Sequence, residues 1–363
     1  MSFTTQDTMI PCQCFAASNS CEGFRNYYGE IFTDPQIERL YVIKGGPGTG
    51  KSHFMRTVAR RARERDYTVT EYLCSSDPAS LDGLILTKAG APTVGFVDGT
   101  PPHAYEPTLP GVREELLNLG EFWAAPALTG YGKEIESLGK RKAAAYANAY
   151  SALSAAGDMD RICDALVELC APYDRLQAVA TRLLKDQPKG EGHIAVPALR
   201  RGVSMMGKHT LHSFEAAAHR LLITEEMYGI GYRLTEAMLE ISRACDHRVL
   251  VSYHPVYPNK ADGLFYPDTG LCMLVGDGVP REGIPTRSLS LRRYADVEAI
   301  RALRGELRRI LSLREQMVDM ALRHLAVAAT HHFELEKIYS SAMDFSAKEA
   351  FTERFCERLF QGV

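Results

Sequence analysis

The sequence predicts an α/β fold, a mostly parallel sheet flanked by helices, built twice along the chain with long helical extensions. Three observations predict it. An apolar run at 40–44 leads through a glycine-rich loop into a helical pattern. A buried-strand run at 93–97 ends in Asp98. The same order of elements then recurs in the second half.

The loop fits G-x-x-x-x-G-K-[ST] through Gly45, Gly50, Lys51 and Ser52, with Gly46, Pro47, Gly48 and Thr49 between. Glycines let successive backbone N–H groups turn toward one point and let phosphate oxygens come close. The helix starting there aims its positive end at the same point. Lys51 is placed to reach β- and γ-phosphates, Ser52 to give its hydroxyl to Mg²⁺, and His53 to continue the phosphate-facing backbone.

Composition sets the outer limits. The 363 residues suffice for two domains, and 45% hydrophobic with 24% charged residues is ordinary for a globular protein. A net charge of −3 gives no support to a broad nucleic-acid or membrane footprint. The first residues lack a basic stretch followed by an apolar core, and no apolar run approaches the roughly 18–20 residues that span a bilayer. Nine scattered cysteines fit a reduced, cytoplasmic setting. Cys12, Cys14 and Cys21 lie close enough to suggest zinc, but lack paired C-x-x-C spacing and read as free thiols.

In chain order, 23–31 reads as a short helix and 53–65 as an amphipathic helix with an arginine-rich solvated face. Residues 67–73 form a second strand, followed by Asp77-Pro78 and Asp82-Gly83. Asp98, at the carboxyl end of its strand, faces the ligand crevice of an α/β sheet and is the candidate magnesium-side acid. His103 follows it closely. Segments 112–123, 132–156 and 160–185 read as helices. Gln187-Pro188-Lys189-Gly190 reads as a linker, dividing the chain into a binding domain, 1–190, and a degenerate repeat, 191–363.

In the repeat, Gly229 and Gly231 fall on Gly48 and Gly50, Tyr232 on Lys51 and Arg233 on Ser52. Asp262-Gly263 falls on Asp82-Gly83, and Asp277-Gly278 on Asp98-Gly99. Glu225 and Glu226 stand where phosphate would sit and repel anions, so the second copy is read as non-binding. It then serves as an internal control: features confined to the first half, Lys51, Ser52, Asp77 and His103, gain as functional candidates. Asn259-Lys260-Ala261-Asp262 fits the guanine-reading N-K-x-D motif, but its Asp262 lies over Asp82 in a repeated loop, so it carries no guanine assignment.

Together, 44–52, Ser76-Asp77-Pro78 with Ser80-Leu81-Asp82-Gly83, and Asp98-Gly99-Thr100-Pro101-Pro102-His103 resemble an uncharacterised bacterial family of tandem P-loop NTPase-like, ATP-binding proteins. The resemblance implies a P-loop NTPase fold, with ATP and Mg²⁺ as cofactors and no named substrate. Lys51, Asp98, Asp77, Asp82 and His103 become the catalytic candidates, and Ser52 and Asp98 the metal ligands. Many ATPases place Glu directly after the magnesium-side Asp; Gly99 stands there, leaving Asp77, Asp82, His103 or Glu106 to orient water. Arg281 is a candidate to cross over from the second half. Three functions follow: an Mg²⁺-dependent ATPase with one live site, a small-molecule or nucleotide kinase, or a nucleotide-sensing interaction protein, each with an unidentified second partner and possible homo-oligomerisation.

Overall fold

The computed structural model describes residues 11–102, 105–190 and 194–361. His103 lies outside the described residues. The first half runs β1 (Gln13–Phe15), a hairpin of β2 (Ala17–Ser20) and β3 (Gly23–Asn26), α1 (Tyr28–Phe32), β4 (Arg39–Lys44), α2 (Lys51–Arg63), β5 (Thr68–Leu73), β6 (Leu81–Thr87), β7 (Val94–Asp98) and β8 (Glu114–Asn118). Helices α3 (Ala125–Thr129), α4 (Gly132–Glu168) and α5 (Tyr173–Leu183) complete it. The second half repeats the series as β9 (Ile194–Pro197), hairpin β10 (Arg201–Ser204) and β11 (Gly207–Thr210), α6 (Ser213–Ala217), β12 (Arg220–Thr224), α7 (Ile230–Ala244), β13 (Arg248–Tyr253), β14 (Ala261–Tyr266), β15 (Leu271–Val275) and β16 (Thr286–Leu289). It ends in α8 (Val297–Ser341) and α9 (Phe345–Phe360).

The two sheets have one topology. The first is ordered β1-β5-β6-β7-β4-β8 and the second β9-β13-β14-β15-β12-β16. Both are mixed: β6 and β14 run antiparallel to their neighbours, while the other pairings are parallel. The antiparallel strand was not foreseen, because 81–87 begins in the Asp82-Gly83 loop signal. In both sheets the loop-bearing strand, β4 or β12, lies next to the edge strand, between two parallel neighbours, and is largely buried.

Three expected helices differ. Residues 23–31 split into a hairpin strand and the short α1. Within 112–123 the chain forms edge strand β8 parallel to β4, then a 3₁₀ turn at Leu119–Phe122. Glu114 anchors that strand: it is 1% exposed, and its carboxylate accepts from Arg113 and the Leu109 amide. Helix α4 runs unbroken past Gly157, where a Cβ would stand 2.7 Å from the Cys21 Cβ; the glycine admits the hairpin rather than ending the helix.

The halves meet through equivalent positions. Phe15 and Leu199 exchange backbone hydrogen bonds of 2.7 and 3.0 Å. Matching turn bonds, Tyr27 N–H to Ala16 O and Leu211 N–H to Arg200 O, fix Ala16 and Arg200 as counterparts. The helical extensions then exchange sides. Helix α9 buries Phe355 against Tyr41, Phe54 and Phe96 of the first half, at centroid distances of 5.0, 5.2 and 6.0 Å. Helix α5 sends Leu176, Val179 and Ala180 into the core of the second sheet. Helices α4 and α8 pack along each other and against the hairpins. Among the described residues no helix is long and apolar enough to cross a membrane.

Candidate functional site

The glycine loop joins β4 to α2. Gly48 and Gly50 take φ of +73° and +78°, left-handed values that other residues adopt only at a cost. Gly50 caps α2, so the free amides of its first turn open toward the loop. Lys51 Nζ donates to the Gly45 and Gly46 carbonyls at 2.8 and 3.0 Å, and stands 3.5 Å from Asp98 Oδ2. Asp98 ends β7, the strand beside β4, and is 6% exposed. Its Oδ1 accepts from the Thr100 amide, and the Thr100 hydroxyl donates to Gly45 O, tying the second strand end to the loop. Ser52 Oγ accepts from the Leu81 amide at 3.0 Å and from Arg56 Nε at 3.4 Å.

The other candidates divide. The Asp77 carboxylate shapes its own turn, accepting from the Ala79 amide and the Ser80 hydroxyl. Asp82 is 3% exposed, and Tyr28 donates to it at 3.1 Å; it lies inside the fold rather than at the mouth of the loop. Glu106 pairs with Lys44 at 3.0 Å on an exposed edge. Arg281 sits in an exposed turn; the second half reaches the first loop through α8 and α9 instead. All nine cysteines are free, and no cluster of three or more His, Cys, Asp or Glu capable of holding a metal occurs among the described residues. A cation bound mainly by phosphate and water, with one hydroxyl and one carboxylate from the protein, needs no such cluster. Ser52 and Asp98 fit that donor set.

Sequence reasoning missed the walls around the loop. A Cβ on Gly48 would stand 2.7 Å from Glu336 O, one on Gly50 3.4 Å from Lys348 Nζ, and one on Gly46 3.0 Å from the Trp123 ring. The buried Trp123 Nε1–H has no hydrogen-bond acceptor among the described residues. Gly48, Phe333, Glu336, Lys337 and Ser340 line a cleft of about 420 Å³ beside the loop. Glu336 lies 3.7 Å from His332, one helical turn back. Burial, then Asp77, lift the Glu336 carboxyl above its usual range, while Lys51, the Gly48 amide and Lys142 pull it back. Burial, with Lys142 and Lys51, pushes His332 down to about 4.

The second half resolves differently, and its alignment shifts. Gly99 and Gly276 make the same amide bond, to Ile43 O and Thr224 O at 2.9 Å. Asp98 is therefore matched by Val275, and Asp277 by Thr100. The helices align by their burial and by matching turn bonds, Tyr67 N–H to Ala62 O and His247 N–H to Ser242 O. Gly231 then stands on Lys51 and Tyr232 on Ser52, one residue from the sequence alignment. Asp98 is thus confined to the first half. Where the first half has Ala16 and Ala17, the second has Arg200 and Arg201. Arg200 is fully buried; its Nη2 donates to Val275 O and Asp277 Oδ1, both at 3.0 Å. Arg201 Nε donates to Asp262 Oδ2 at 2.5 Å. Burial would raise the Asp277 carboxyl, but Arg200 and Arg201 hold it below its usual range. Lys260 of the N-K-x-D motif pairs with Asp160 and Asp164 at 2.6 and 2.7 Å, a structural use. Glu226 pairs with Arg314 at 3.1 Å. Compared with family models, curated proteins and solved structures, the chain matches none of them.

Proposed function

We propose that this protein is an Mg²⁺-dependent ATP-binding NTPase of the P-loop kind that hydrolyses ATP at one site, the loop of the first half. The observation that carries this reading is the Lys51–Asp98 pair, 3.5 Å apart beneath a loop with left-handed glycines, against a counterpart that has Gly231 and Val275. In this reading the loop amides cradle the phosphates, and Lys51 leaves its carbonyl partners for the β- and γ-oxygens. Ser52 and Asp98 would hold Mg²⁺, which would supply neutralisation of the charge developing on the phosphate oxygens.

Glu336 supplies what Gly99 cannot. Its carboxylate borders the cleft at Gly48, and His332 stands behind it. The oxygen of a water bonds to the γ-phosphorus, its proton passes to Glu336, and the bond from phosphorus to the β–γ bridging oxygen breaks toward ADP, leaving inorganic phosphate. Phosphate release from ATP tests the reading. Wild-type protein should turn over only with Mg²⁺. Glu336→Gln should keep ATP affinity and lose about 100-fold in kcat, the usual scale for a general base. Equal turnover by both proteins removes Glu336 from this role. Transfer to an added metabolite in place of phosphate release would move the reading to a kinase, and ATP binding without any turnover would move it to a nucleotide sensor.

A further inference from the structure

We propose that Lys348, carried by the last helix of the second half, is a second phosphate-binding lysine of the nucleotide site in the first half. The inference rests on the ATP-binding reading above and adds the group that grips the α- and β-phosphates.

Three observations carry it. The first is place. Lys348 Nζ would stand 3.4 Å from a Cβ on Gly50 and lies 3.2 Å from His53 Nδ1, so it borders the start of α2. In a loop of this pattern the amides at the helix start cradle the α- and β-phosphates, while the loop lysine reaches the β- and γ-phosphates. The second is charge. Lys348 is 2% exposed, and an ammonium is costly to bury unless it is paired. Its carboxylate neighbour is Glu349, at 3.3 Å on a half-exposed side chain. The positive end of α2 faces the same ammonium and disfavours it. A phosphate group held by the α2 amides converts that disfavour into attraction.

The third observation is the internal control. Helices α4 and α8 bury matching positions: Leu138 with Ile310, Ala149 with Ala321, Leu153 with Leu325 and Cys163 with Leu335. The helices that follow begin in step, α5 at Tyr173 and α9 at Phe345. Lys348 therefore stands where the copy has Leu176, which is fully buried in an apolar core. Structure alone asks for leucine at this position, and the helix at the live loop carries a lysine.

The experiment titrates ATP and ADP calorimetrically into full-length wild-type protein, Lys348→Leu, Lys348→Met and Lys348→Arg. Lys348→Leu borrows the copy's residue, and Lys348→Met keeps the length without the charge; circular dichroism checks that each variant folds. Both should weaken ATP and ADP alike by about tenfold or more, the scale of a lost charge-assisted hydrogen bond. Lys348→Arg should recover much of the affinity. Leucine and methionine variants that bind within about twofold of wild type overturn the proposal, as does a loss confined to ATP, which places the lysine at the γ-phosphate. Lys51→Ala separates the two claims. If it leaves nucleotide binding unchanged, the underlying reading fails. If it abolishes binding while the uncharged Lys348 variants do not, only this inference fails.

Discussion

The two strand–loop–helix units of this chain answer the same electrostatic problem in opposite ways. In both, acidic and amide groups converge at the carboxyl ends of the central strands. The second half settles the charge internally: Arg200 and Arg201 bind Asp262 and Asp277, Arg314 binds Glu226, and Lys260 binds Asp160. The first half has alanines, Ala16 and Ala17, in place of the arginine pair, and its Asp98 stands 3.5 Å from Lys51 of the loop. The comparison teaches that the two loops differ by more than one lysine. The acidic groups that stay behind need cations, and here the hairpin after the first strand supplies them.

The exchange of helices adds a second lesson. Each loop is covered by the other half: α8 lies on Gly48, and α4 brings Asp164 Oδ1 to 3.3 Å from where a Cβ on Gly229 would stand. Each half thus supplies part of the wall around the other half's loop. The copies differ in charge where these helices touch the loops. His332 and Glu336 on α8 correspond to Asp160 and Asp164 on α4, and Lys142 corresponds to Arg314.

Removing the internal cation is the strongest way to break the comparison. Arg200→Ala strips a fully buried guanidinium from Asp262 and Asp277 and should cost about 3–5 kcal/mol of stability in chemical denaturation, as for a broken buried pair. ATP affinity at the first loop should hold as long as the protein is folded. A variant as stable as wild type would mean that the arginine is not neutralising the copy's acids.

A smaller effect should come from His332. Burial, with Lys142 and Lys51, depresses its pKa to about 4, while Asp77 opposes. The unfolded chain takes up this proton near pH 6.5 and the folded chain resists it, so the contribution is intact above pH 6.5 and is lost as pH falls toward 4. His332→Gln should remove that acid loss, on the order of 2 kcal/mol, and leave stability at pH 8 nearly unchanged.

Much of this was legible in the sequence, because local signals are strong where backbone geometry is demanding. Gly48, Gly50 and Lys51 announce the loop, Asp98 closes an unbroken apolar strand, and the ordered recurrence of Asp82-Gly83 as Asp262-Gly263 exposes the duplication. The fine alignment was not legible. The linker between strand and helix is shorter in the copy, and only equivalent hydrogen bonds, Gly99 to Ile43 and Gly276 to Thr224, place the gap. That one-residue shift decided whether Asp98 had a counterpart. Glu336 and Lys348 were not legible because nothing local links them to the loop; Lys348 and His53 stand 295 residues apart. A signal did exist: aligning α5 with α9 puts Lys348 into the apolar stripe that Leu176 marks. The segment 112–123 misled because Glu114 and Leu117 sit at a spacing that suits a helix as well as a buried strand edge.

The central claim is that one of two homologous loops is alive. Calorimetric titration of Mg²⁺-ATP into wild type, Lys51→Ala and Tyr232→Ala tests it most directly. One ATP per chain is predicted for wild type and Tyr232→Ala, and none for Lys51→Ala. Two ATP per wild-type chain, or binding that survives Lys51→Ala and disappears with Tyr232→Ala, would contradict it.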